Sequence, residues 1–253
     1  MLRTRVIPVL LLHGKSLVKT ERFKSFQYIG DPANTVRIFN ELEVDELSFL
    51  DIKAARTRSG PDLGVLRDIA TECFMPLSYG GGIDSLETAK RVFDTGFEKI
   101  ILNTAAYSNP GLITTIANIY GSQAVVVSMD VKKHLWKGMR LVAQGGTRWQ
   151  DMPPVDWARR VEELGAGELL LTAVDREGTW DGFDVPLIQE VNSAVSIPVI
   201  AHGGAAGPDD IAKAVNVGGA TAVALGASVV FQKKGMGVLV NFPSPDRLKQ
   251  VLQ

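Results

Sequence analysis

The sequence predicts a single (β/α)8 barrel over residues 1–253, and three observations carry that prediction. Strand-length apolar runs alternate with helix-length amphipathic stretches, giving eight strand–helix units. The second half repeats the first: Phe74-Met75-Pro76-Leu77-Ser78-Tyr79-Gly80-Gly81-Gly82 returns as Ser196-Ile197-Pro198-Val199-Ile200-Ala201-His202-Gly203-Gly204, and Pro76 to Pro198 and Gly82 to Gly204 are both steps of 122 residues. A length of 253 residues suits an α/β barrel folded as one domain. The repeat sets half-barrels at roughly 1–122 and 123–253, with no linker or low-complexity segment between them. An open doubly wound sheet explains the repeat less well.

Taken in order, the strands are expected at 6–12, 46–51, 75–79, 99–103, 124–128, 168–172, 199–201 and 222–225. Their continuous apolar character suits parallel strands buried on both faces. Helices are expected at 32–42, 63–72, 86–95, 110–120, 155–164, 185–195 and 208–217. Asp31 before Pro32 and Asn109 before Pro110 read as N-cap and first-turn pairs, and Gly165 as a C-terminal stop. Segment 15–30 reads as a loop, and 132–150 as an insertion, a hairpin turning at Lys137-Gly138 or Gly145-Gly146.

Composition excludes several classes of function. The chain is 45% hydrophobic with net charge −1, which fits one large core and disfavours a nucleic-acid groove or polybasic membrane patch. A lone cysteine, Cys73, excludes an internal disulfide and a multi-cysteine metal cage and reads as a buried thiol. Arg3 and Arg5 precede only a short apolar run broken by His13-Gly14-Lys15, so no signal peptide is read. No stretch reaches the ~18 apolar residues of a membrane span. A protein of a reducing compartment, the cytoplasm, is expected, without cofactor or metal.

Barrel chemistry sits at the C-terminal ends of the strands. Gly80-Gly81-Gly82 and Gly203-Gly204 follow two of them, and Asn103-Thr104 and Gly226-Ala227-Ser228 end the strands that come next. Glycines there either form tight turns or let backbone N–H groups approach an anion. The symmetry suggests two phosphate pockets on opposite sides of one mouth, hence a ligand with a phosphate at each end. Asp51 and Asp130 end strands two and five and are candidates for acid/base work, with helix capping or ion pairing as the alternative for Asp51. Asp175-Arg176-Glu177-Gly178-Thr179 reads as a polar rim, and Lys19 as an anion contact or a solvated lysine. His13 and His202 lack metal-ligand spacing; His202 reads as a donor in the pocket wall, while His134 has no evident context. The four tryptophans are scattered and read as packing or loop anchors. The acid of strand five has no counterpart on strand one, where Leu10-Leu11-Leu12 ends the run.

Phe49-Leu50-Asp51-Ile52, Tyr79-Gly80-Gly81-Gly82-Ile83, Leu102-Asn103-Thr104-Ala105-Ala106, Gly165-Ala166-Gly167-Glu168-Leu169-Leu170-Leu171-Thr172 and Asp175-Arg176-Glu177-Gly178-Thr179 together form a specific signature. With them the chain resembles the cyclase subunit of imidazole glycerol phosphate synthase along nearly its whole length. The resemblance implies a half-repeat barrel that takes ammonia from a partner glutaminase in a heterodimer. It implies closure of an imidazole ring on a doubly phosphorylated ribulosyl substrate. It places one phosphate at Gly82, Asn103 and Thr104 beside Gly81, and the other at Gly178, Gly204, Ala227 and Ser228 beside Gly203. Lys19, Asp51 and Thr172 would line the mouth, with Asp130 as one of two catalytic aspartates.

The second aspartate falls on Leu11, which moves no proton; losing an acid or base typically costs ~10²–10⁴-fold in rate. Glu177 stands where the family usually has aspartate, and His202 where it usually has serine, which enlarges side chains at one end of the cavity. Four charges of the family's ammonia gate fall on matching types, Arg5, Glu46, Lys99 and Glu168, at strand starts; a purely structural ion-pair network is the alternative. Leu10-Leu11-Leu12, Leu17-Val18-Lys19-Thr20, Tyr28-Ile29-Gly30-Asp31-Pro32 and Asn241-Phe242-Pro243-Ser244 resemble a paralogous branch associated with sugar amidation in bacterial surface polysaccharide synthesis. That branch implies a separate sugar amidotransferase as a further partner.

Overall fold

The computed structural model describes residues 4–57 and 59–252; Arg3, one of the two arginines read above as preceding a short apolar run, lies outside them. Strand β1 (Arg5–His13) runs into a hairpin of β2 (Ser16–Glu21) and β3 (Lys24–Gly30). The barrel continues through β4 (Leu47–Asp51), β5 (Leu77–Gly80), β6 (Lys99–Leu102) and β7 (Val125–His134). After β8 (Gly138–Ala143) and β9 (Arg148–Trp149) it is completed by β10 (Glu168–Ala173), β11 (Val199–His202) and β12 (Ala222–Leu225). Each barrel strand pairs in parallel with its neighbours, and β1 bonds to both β4 and β12, closing the ring. This is the expected (β/α)8 barrel, with helices in the connections between strands.

Alternation along the strands sorts side chains into two cores. On β1, Val6, Leu10 and Leu12 pack outward with the helices, while Ile7, Val9 and Leu11 belong to a separate cluster with Ile101, Val126, Leu170 and Ile200 inside the barrel. Each such fully buried side chain stabilises by about 1.5–3 kcal/mol relative to exposure. Helices cover the outer layer with one apolar face: Val65, Leu66 and Ile69 of Leu63–Glu72 are buried, as are Leu112, Ile113 and Ile116 of Gly111–Tyr120. Asp31 caps Pro32–Glu41 by accepting from the Asn34 N–H at 2.9 Å, and Asp62 caps Leu63–Glu72. Helix Pro154–Glu163 ends ahead of Gly165, at φ 96°. Among the described residues no helix is long and apolar enough to cross a membrane.

Four local expectations change. Segment 15–30 is a hairpin rather than a loop: Leu11 pairs with Val18 and Leu12 with Leu17. Leu17, Val18 and Ile29 are buried, yet most of β3 is exposed, so it shows no burial period to read. Asn109 does not cap the helix it precedes; Pro110 holds that position, and the Asn109 N–H closes the short helix Thr104–Ser108 on Ala105 O at 2.8 Å. The insertion 132–150 uses both candidate turns, pairing β7 with β8 and β8 with β9. The last turn after Pro208–Ala212 widens to a π-helix, Lys213–Val217.

Cys73 is only half-buried; its thiol donates to Met75 O, and burial pushes its pKa up. Trp157 is buried and stacked on Tyr107 at 4.7 Å, whereas Trp136 stands exposed beside the β7–β8 turn. His134 acquires a context: its Nδ1 accepts from the N–H groups of Trp136 and Lys137 in that turn.

Candidate functional site

The barrel strands end in a chamber of about 400 Å³. Leu11 from β1, Asp51 from β4, Asp130 from β7 and Thr172 from β10 all line it. So do Gly81, Gly82, Asn103 and Thr104 on one side and Glu177 and His202 on the other. Strand register brings these together: Thr172 pairs with Asp130 and with His202 on the neighbouring strands.

Asp130 is enclosed. Its Oδ1 accepts from Ser128 Oγ at 3.2 Å and its Oδ2 from Asn103 Nδ2 at 3.2 Å. Burial lifts its pKa to about 7, against the lowering effect of hydrogen bonds from Ser128, Thr172 and Asn103. A carboxyl that titrates near neutrality can give or take a proton under ordinary conditions. Ser128 was not singled out from the sequence, although its position two residues before Asp130 puts it on the same strand face. Tyr107 was also missed; burial, and then Asp130, raise its pKa, and its hydroxyl has no hydrogen-bond partner among the described residues. Leu11 contributes only a buried apolar wall.

Asp51 reaches the chamber, but its Oδ1 also accepts from the N–H groups of Lys53 and Ala54, each at 2.9 Å. The capping alternative therefore describes one of its oxygens. Both glycine pairs are required by close backbone approach: a Cβ on Gly81 would lie 2.6 Å from Asp51 O, and one on Gly204 would lie 2.2 Å from Gly182 O.

The remaining predicted residues lie apart. Gly178, Gly203, Gly204 and Ala227 line a recess of about 10 Å³, together with Lys19, Glu177 and His202. Glu177 and His202 line both spaces and so form the wall between them. Lys19, on β2, is buried and its ammonium bonds to Glu177 Oε1. Glu177 Oε2 accepts from Thr20 Oγ1 at 3.1 Å and from the Phe23 N–H at 3.2 Å. Burial and then the Lys19 charge lower the pKa of His202 to about 4, so the ring is neutral. The Ser228 hydroxyl, next to Ala227, is buried with no hydrogen-bond partner among the described residues.

At the opposite end of the barrel, Arg5, Glu46, Lys99 and Glu168 form a closed ring. Arg5 bonds Glu46 at 2.8 Å and Glu168 at 3.0 Å, and Lys99 meets both carboxylates at 3.1 Å. Burial depresses the Arg5 pKa, but Glu168 and then Glu46 outweigh it and leave the pKa raised. Glu168 Oε2 is buried and has no hydrogen-bond partner among the described residues. Between ring and chamber stand Ile7, Val9, Val126, Leu170, Ile200 and Ala222 of the inner cluster. The arrangement is a charged ring, a packed apolar layer and a polar chamber in series.

Residues 5–235 match the family model described as "Histidine biosynthesis protein". A Pseudomonas aeruginosa protein named "Putative imidazole glycerol phosphate synthase subunit hisF2" is 45% identical over 98% of this chain and 99% of its own length. One from Vibrio vulnificus, "Putative imidazole glycerol phosphate synthase subunit hisF3", is 43% identical over 100% of this chain and 98% of its own. "Imidazole glycerol phosphate synthase subunit HisF" of Alkaliphilus metalliredigens is 40% identical over 100% of this chain and 96% of its own.

Proposed function

The chain belongs to the family of histidine biosynthesis proteins, and from that membership we propose that it is the synthase-type subunit of a glutamine-dependent complex. A glutaminase docks at the Arg5, Glu46, Lys99 and Glu168 end and delivers ammonia there. Glu168 Oε2, a buried acceptor awaiting a donor, suits an arriving ammonium. Passage through the packed apolar layer beyond it suits neutral ammonia and opposes a charged ion, because desolvating an unpaired ammonium is very costly.

The observation that carries the reading is the coexistence of this intact ring with Leu11 in the chamber wall. The chain keeps the means of receiving nitrogen and lacks one of the two acids expected for ring closure. Its nitrogen therefore goes to another acceptor, which we assign to a sugar amidated by a separate amidotransferase in surface polysaccharide (O-antigen) synthesis. A working cyclase is the second reading, favoured by one observation: Asp130 titrates near neutrality and could act without a partner.

Turnover of the ribulosyl substrate by the purified chain in saturating ammonium separates the two. Background turnover by folded protein is expected; a rate near that of an ordinary cyclase would establish the histidine-pathway reading instead.

A further inference from the structure

We infer that the turn between β7 and β8 is a docking tip for an anionic lipid bilayer, with Leu135 and Trp136 entering the interface and the lysines around them meeting the headgroups. The inference goes beyond the proposed function and does not depend on where the nitrogen goes.

Charge comes first. A net charge of −1 disfavours a membrane patch when read over the whole chain, but the cations are not evenly spread. Residues 132–150 hold Lys132, Lys133, Lys137, Arg140 and Arg148 and no Asp or Glu. Among the described residues none of these side chains pairs with a carboxylate; Arg140 donates to the Met139 carbonyl, and Lys132 stands 5.8 Å from the centre of the Trp149 ring. Strand register sets Lys132 directly opposite Arg140. Like charges in that arrangement destabilise a strand pair, so the hairpin keeps a local surplus of positive charge that its own fold does not compensate.

Shape points the same way. Leu135 and Trp136 occupy the tip and are 83% and 86% exposed. An ordered turn holds them there: His134 Nδ1 accepts from the Trp136 and Lys137 N–H groups at 3.2 and 3.3 Å, and the His134 ring stands edge-on to Trp149. An apolar apex flanked by lysines is a convex feature. A bilayer takes it without a preformed cavity: tryptophan settles at headgroup level, leucine reaches the acyl boundary, and the ammonium groups meet lipid phosphates. A protein partner calls instead for a pocket shaped to the apex, and a nucleic acid for cations without an apolar tip between them.

The placement is compatible with the rest of the molecule. Strand β7 starts beside Glu168 of the charged ring, passes Asp130 at the chamber and ends at His134. The tip therefore projects from the chamber side, and a barrel seated on lipid through it leaves the opposite end free. Among the described residues no helix is long and apolar enough to cross a membrane, so the contact is peripheral.

Co-sedimentation of the full chain with vesicles tests this, comparing equal parts of phosphatidylglycerol and phosphatidylcholine with phosphatidylcholine alone, at about 0.1 M salt. The parent should bind the mixed vesicles at least about tenfold more tightly than the neutral ones, with a blue shift of its tryptophan emission. Leu135→Ser combined with Trp136→Ser should lose about tenfold or more of that binding, together with the shift. Lys133→Glu combined with Lys137→Glu should lose as much, because each cation near the surface contributes about fivefold. All four side chains are exposed, and if one double variant does not fold the other decides. Parent binding no tighter to mixed than to neutral vesicles, or binding that a folded double variant keeps in full, would overturn the inference, whatever the hairpin does with a DNA duplex or an acidic protein.

Discussion

Thr172 Oγ1 lies 3.1 Å from His202 Nδ1, and Thr172 stands opposite Asp130 on the neighbouring strand. A hydroxyl both donates and accepts, so either Thr172 or the neutral imidazole is the donor, according to the ring's tautomer. Asp130 and His202 are thus two buried groups on one line, pushed by burial in opposite directions: one up to about 7 and the other down to about 4.

The pH dependence of stability follows from those directions. Asp130 holds its proton more tightly folded than unfolded, so its contribution is complete below the unfolded value near 4 and is lost as pH rises towards 7. His202 acts in reverse: its contribution is present above the ordinary value near 6.5 and is lost as pH falls towards 4. Asp130→Asn should remove the loss between pH 4 and 7, leaving a profile in which stability rises with pH across the His202 window. Urea midpoints at half-unit pH steps read this; parallel profiles for parent and variant would contradict it.

Leu11→Asp should gain ring-closing turnover over the parent by up to ~10²-fold if the ribulosyl substrate binds, since an acid/base group commonly supplies ~10²–10⁴. The new carboxyl replaces a buried leucine in the inner cluster, so some stability is lost as well. Single-turnover assays in saturating ammonium decide it, and no gain in a folded variant would sink the missing-acid account.

Lys99→Ala opens the charge ring and leaves Glu46 and Glu168 facing each other with Arg5 alone between them. Breaking a buried pair costs about 3–5 kcal/mol, and the partial exposure of Lys99 places this variant at the low end. Use of glutamine-derived ammonia should fall several-fold more than use of added ammonium. Equal losses with the two nitrogen sources would reduce the ring to a structural network.

Phe49→Ala tests the outer core. Phe49 is fully buried with its ring edge-on to Phe97, and the truncation should cost about 3–5 kcal/mol in equilibrium unfolding. Turnover per folded molecule should change little, because Phe49 points away from the chamber.

The barrel was legible because its strands are apolar on both faces and its halves repeat; the start of β1 and the end of β12 needed no more than that. The hairpin after β1 was not, since the exposed face of β3 carries no period and only its pairing with β2 orders it. Thr172, next to the last residue of β10, was visible from position alone; Asp130 was singled out the same way, although β7 does not end there but continues to His134 to pair with β8. Their neighbours through space were hidden: nothing in the order of residues places Lys19 against Glu177, 158 positions away. The split of one expected pocket into a chamber and a recess is a property of those long-range contacts.

A single strand, β1, carries Arg5 at the charged ring and Leu11 at the chamber, with Ile7 and Val9 between them in the inner cluster. At about 3.3 Å per residue, ring and chamber stand about 20 Å apart, one strand-height, and the layer between them is made of a few side chains. Single substitutions can loosen or tighten that layer and leave the barrel's hydrogen bonding unchanged. The two ends of such a barrel can therefore diverge independently, one keeping its charges while the other exchanges its polar groups.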